Sequence, residues 1–232
     1  MKSQLFHLNR ISFAILLALF LFTSSALAGP PLICHPFDIG DAKSIPWTSH
    51  DWNLTGSENF NTKNLAADTI AILDSDSAVL VHMETLRRAT LYARKDPVAA
   101  KQLVTKLVAR ADSSANSKAA AMASFDLGYL AECYRQWMGK DEPNPAQGLD
   151  GYALVKKAMQ LRGNDPQMDF AAALITLNGP AGEHQDYVQR TLAGAKTDAL
   201  LARNLFTHFM GPQSESMADM ISRTSAAKVA KQ

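Results

Sequence analysis

Residues 96–111 read DPVAAKQLVTKLVARA, with apolar side chains at Ala100, Leu103, Val104, Leu107, Val108 and Ala111. Steps of three and four are the pitch of an α-helix that buries one face. Asp96 before Pro97 supplies the start: a carboxylate to accept from the first free N–H groups, then a ring whose fixed φ suits the first turn. Working outward, the chain past residue 60 keeps this pitch almost throughout. Leu65, Ile70, Ile72 and Leu73 mark a helix, and Asp74-Ser75-Asp76-Ser77 supplies N-cap residues for a second that reaches about Lys95. A fourth, over about 118–138, carries Met122, Phe125, Leu127, Tyr129, Leu130, Cys133, Tyr134 and Trp137 around nearly its whole circumference. A helix apolar on all sides belongs at the centre of a fold. The pattern predicts further helices over about 149–162, 166–177, 183–194 and 198–210, and a weaker one from about 214. Pro143 and Pro145, Asn178-Gly179-Pro180 and Gly211-Pro212 punctuate them. No segment alternates with the period of a strand. About nine helices on short turns predict an all-α fold of stacked antiparallel hairpins.

Residues 29–60 break the pattern. They hold Pro30, Pro31, Pro36 and Pro46, two of the three tryptophans, and no regular period. Leu32, Ile33, Phe37, Ile39, Ile45, Trp47 and Trp52 make this an irregular arm that packs onto the helices rather than a free tail. The organisation expected is therefore a signal peptide over 1–28, the arm over 29–60 and a helical-repeat-like domain over 61–232.

The first residues carry the export expectation. Lys2 and Arg10 precede an apolar run from Ile11 to Phe22, and Ala26-Leu27-Ala28 follows with small residues where a signal peptidase reads. That order is a cleavable secretory signal, and the run is shorter than the ~20 residues a membrane span needs. Cleavage after Ala28 leaves no stable membrane anchor and a near-neutral chain. With no basic block, nothing points to nucleic acid. In an oxidising compartment Cys34 and Cys133, the chain's two cysteines, are expected to pair as a disulfide.

Residues 151–178 resemble the junction of two tetratricopeptide repeats. Gly151-Tyr152-Ala153-Leu154-Val155-Lys156-Lys157-Ala158-Met159-Gln160-Leu161 is similar to the second helix of one repeat, and Asp165-Pro166 to the opening of the next. Leu127-Gly128 resembles the Leu-Gly pair of a first helix. Asp96-Pro97 and Asp165-Pro166 stand 69 residues apart, close to twice the ~34-residue repeat. The resemblance implies an α–α superhelix with a concave surface. Cys34-His35-Pro36-Phe37-Asp38-Ile39-Gly40, Ala42-Lys43-Ser44-Ile45-Pro46-Trp47 and His82-Met83-Glu84-Thr85-Leu86-Arg87-Arg88-Ala89 resemble a group of exported bacterial helical proteins of no established activity. That likeness implies a periplasmic or secreted bacterial protein.

Chemistry-bearing residues concentrate in the arm. His35, Asp38, Asp41, His50 and Asp51 offer nitrogen and oxygen ligands, but no pair has a familiar metal-ligand spacing, so no metal and no cofactor are expected. Cys34 beside His35 has the elements of a thiol nucleophile, yet neighbours in an extended chain point to opposite sides. Glu84 with Arg87 and Arg88 has the i,i+3 and i,i+4 spacing of an ordinary surface ion pair; the other reading of the same spacing is a polar network inside a concave groove. Asp74-Ser75-Asp76 lacks the rest of a calcium loop, and Ser225-Ala226-Ala227-Lys228 lacks the companions of an S-x-x-K site. No phosphate loop, nucleophile elbow or haem motif occurs. The function expected is an interaction protein that presents a groove to a peptide or protein partner, with His35, Asp38, Trp47, His50, Glu84 and Arg87 as candidate binding residues. The alternative is an enzyme or metal-binding protein with a site between the Cys34 to Trp52 arm and the second helix.

Overall fold

The structure is a computed structural model and describes residues 31–48, 54–75, 77–113, 117–138, 142–179 and 181–209. Among them, a 3-10 turn at Thr62–Asn64 precedes eight α-helices: α1 Leu65–Leu73, α2 Val79–Ala93, α3 Pro97–Ser113, α4 Ser117–Trp137, α5 Gly151–Arg162, α6 Pro166–Ile175, α7 Ala181–Ala195 and α8 Ala199–Phe209. The described residues contain no strand. The fold is all-α. The ninth helix expected from about 214, like the signal peptide, lies outside the described residues.

Local chemistry explains four of the eight helix starts. Asp96 accepts from the Ala99 N–H, Asp150 from Ala153, Asp165 from Gln167 and Met168, and Asp198 from Leu201. Each satisfies donors that a first turn leaves open. The start of α2 differs from expectation. Its N-cap is Ala78, which has no capping side chain. The Leu80 N–H is met instead by the Gln167 side chain of α6, which in turn donates to Asp198 at the head of α8. Asp74, read from the sequence as part of a cap, takes an ion pair from Arg110 at 2.8 Å.

Three helices form the interior. Residues 121–134 of α4 are buried without interruption, and so are Met168 to Ile175 of α6. In α2 every residue but Arg88 is buried. α2 packs on both α4 and α6, with α1 and α3 against the first half and α5, α7 and α8 against the second. Each helix touches its successor, and α1 packs on α3, α2 on α4 and α6 on α8. The backbones of α3 and α5 and of α4 and α6 do not approach as closely, whereas α5 and α7 meet through side chains, with the Tyr152 and Tyr187 hydroxyls 2.9 Å apart. The α4–α5 crossing is very close: a Cβ on Gly128 would lie 2.6 Å from the Gly151 carbonyl oxygen, and one on Gly151 2.6 Å from that of Gly128. Only a side chain of hydrogen lets the two backbones meet there.

Leu32, Ile33, Phe37 and Ile45 of the arm are buried with the helices in one apolar cluster.

Candidate functional site

The arm lies across α2, α4, α6 and α8, and polar side chains hold its main chain. Gln136 of α4 accepts from the Leu32 N–H, and Asn204 of α8 both accepts from the Asp38 N–H and donates to its carbonyl. Arg87 donates to the Ile33 carbonyl, Arg88 to that of Ile45 and the Tyr92 hydroxyl to that of Pro46. Between these points Phe37 fills the space beside Phe170 and stacks on the His208 ring at 4.5 Å. An irregular segment must place its backbone groups somewhere, and here the scaffold grips them as a peptide receptor grips a ligand.

At the centre sits Glu84. Its carboxylate is fully buried, with Arg87 beside it only 1% exposed. It accepts from Arg87 at 2.7 and 3.0 Å, from Arg88 at 2.6 Å and from the Phe37 N–H at 2.9 Å. The spacing read as a surface pair is therefore an interior clamp. The correction has a physical reason: α2 is enclosed on all sides, and a charge taken out of water persists only when paired and hydrogen-bonded.

Two other candidates, Trp47 and His35, lie near the clamp. The Arg87 guanidinium lies over the Trp47 ring at 5.3 Å, and Trp47 meets Tyr92 edge-on. His35 is 5.3 Å from His208; burial, then the charge of Arg87, lowers its pKa. Asp38 sits further along, paired with Arg203 at 2.7 Å. Burial acts to raise its pKa, but the bonds from Arg203 and the Gly40 N–H prevail and hold it below the usual carboxylate range. His50 lies outside the described residues.

The expected Cys34 to Cys133 disulfide is not formed; both are free thiols. Cys133 is completely buried on α4 in a hydrogen bond with Thr90, whereas Cys34 is half-buried on the arm. Burial raises the pKa of both thiols, and exchange needs a thiolate. The arm is fastened by the clamp instead. Among the described residues no group of three or more His, Cys, Asp or Glu side chains could hold a metal ion.

A second buried network was not anticipated. His82 pairs with Asp126 at 2.7 Å, and Arg110 joins that carboxylate to Asp74. It joins α2 to α4 in the core and reaches, through Arg110 of α3, the exposed Asp74 at the end of α1.

With the arm in place, open concave space lies elsewhere. A cavity of about 540 Å³ is enclosed by Ala93, Pro97, Ala100, Met138, Pro143 and Pro145. Arg94, Lys101 and Glu142 form its polar rim, with Arg94 and Glu142 paired at 3.0 Å and Arg94 lying over Trp137 at 4.8 Å. A shallower cleft of about 460 Å³ continues along α3 past Val98, Lys101, Thr105 and Lys106. Sequence reasoning missed this site because its lining comes from separate stretches, the end of α2, the first turns of α3, Met138 and the loop over 142–145, which only the fold brings together. A signal did exist for the arm's other partners: Asn204 and His208 interrupt the stripe of Leu201 and Leu205 on α8.

Comparison with family models, characterised proteins and solved structures finds no match to this chain.

Proposed function

We propose that this protein is an exported bacterial scaffold, periplasmic or secreted, of repeat-like stacked helices, which binds a peptide or protein segment without catalysing a reaction on it. One observation carries the reading. The arm fills the groove between α2, α4, α6 and α8, while the apolar cavity of about 540 Å³ at the ends of α2 and α4 stays open beside an exposed face of α3. Its size suits a bound side chain or short segment, and Val98 beside it is 67% exposed. The leader over residues 1–28 supports export, and no described helix is long and apolar enough to cross a membrane.

The test is to present the purified protein to an arrayed library of peptides of every charge class. A discrete subset is expected to bind, and Val98→Arg, at an exposed position, should abolish that binding without altering the thermal transition. An array with no bound peptide, or binding indifferent to V98R, contradicts the proposal.

A further inference from the structure

The charged residues of α3 beside the cavity and cleft are basic, and its one acidic residue, Asp112, stands near the far end of the helix. From Pro97 to Ala111 the helix holds Lys101, Lys106 and Arg110 and no acidic residue. Arg110 is engaged at the far end with Asp74 and Asp126. Lys101 and Lys106 are exposed and form no ion pair among the described residues. Among the described residues, the carboxylate on the rim is that of Glu142, paired with Arg94. Lys101 stands where the deep cavity and the shallow cleft meet, and Lys106 lies at the far side of the cleft. Five residues of helix separate the two lysine Cα atoms by about 7.5 Å along the axis. The same five residues turn the side chains by about 140° around the helix, so the two lysines flank the cleft from opposite sides.

We infer that this face takes an acidic peptide in extended form. One large apolar side chain enters the cavity beside Ala100 and Met138, and carboxylates further along the peptide rest against Lys101 and Lys106. The inference rests on the binding function proposed above and specifies its ligand. Apolar burial supplies the anchor, and the lysines supply orientation and discrimination against basic sequences.

The probe is a fluorescein-labelled peptide with a phenylalanine followed by glutamates two and four residues later, titrated with the purified protein and read by fluorescence anisotropy. Two controls replace the glutamates with lysines or the phenylalanine with alanine. Each control is expected to bind at least tenfold more weakly, and added salt should narrow the gap between the glutamate and lysine peptides. The double variant Lys101→Glu, Lys106→Glu, at exposed sites, should weaken the glutamate peptide at least tenfold and strengthen the lysine peptide. Equal affinity for the two charge forms, or indifference to K101E/K106E, overturns the inference. If that happens while arrayed peptides still bind in a V98R-sensitive way, only the ligand chemistry is wrong; an array without any bound peptide removes the binding function as well.

Discussion

The Glu84 carboxylate pairs with the buried Arg87 and the part-exposed Arg88 and accepts from the Phe37 N–H. Glu84→Gln leaves Arg87 buried with its charge uncompensated, and such losses run to about 3–5 kcal/mol. Denaturant titration should show a drop of that order, while Arg203→Ala, which breaks an exposed pair with Asp38, should change stability by less than about 1 kcal/mol. A drop for E84Q no larger than for R203A would show that the clamp is not buried. His208 gives the arm a pH dependence. Burial pushes its pKa down to about 4, with the neighbouring His35 adding to the shift and Glu84 and the Asn204 carbonyl opposing it. The unfolded chain takes up this proton near pH 6.5 and the folded one resists until about 4. The contribution is therefore whole above pH 6.5 and is lost as pH falls through that window, by about 2–3 kcal/mol between pH 7 and 4.5. His208→Phe should flatten that part of the stability profile; a profile unchanged by the substitution contradicts the assignment.

Helices were legible in the sequence because each carries its own period, and several carry their own start signal, as Asp96-Pro97 and Asp165-Pro166 do. The arm has no period, so its place could be read only from where its apolar residues end up. The spacing of Glu84, Arg87 and Arg88 is the same on a wet face as in a core; what decides between them is that α2 is surrounded, a tertiary fact. The cap expected at Asp74 to Ser77 failed for a related reason, since Gln167 reaches the α2 start from a distant part of the chain. Two element-level outcomes follow from the packing. Deleting residues 31–48 exposes the sites of Leu32, Ile33, Phe37 and Ile45, each worth about 1.5–3 kcal/mol when buried. The melting temperature should fall by at least about 10 °C; an unchanged transition would mean that the arm adds nothing to the core. Gly128→Ala places a methyl group against the α5 backbone, and overpacking of this kind costs about 1–3 kcal/mol. A variant as stable as the parent in thermal unfolding would show that α4 and α5 are not in backbone contact.

At the scale of the whole molecule, the arm covers α2, α4, α6 and α8 and leaves the cavity of about 540 Å³ open; under the proposed export a partner is met outside the cytoplasm. N-terminal sequencing of the protein recovered outside the cytoplasm should begin at Gly29; a chain beginning at Met1 contradicts cleavage after Ala28. The division of labour between arm and open surface can be read in one spectrum. Uniformly ¹⁵N-labelled protein, titrated with the glutamate peptide, should show amide shifts centred on Arg94, Val98, Lys101 and Gln102. Those of Leu32, Phe37 and Asp38, held by Gln136, Glu84 and Asn204, should stay where they are. Shifts centred on the arm and on residues 84–92, with the α3 amides unmoved, would contradict this: the partner would then displace the arm from its own groove.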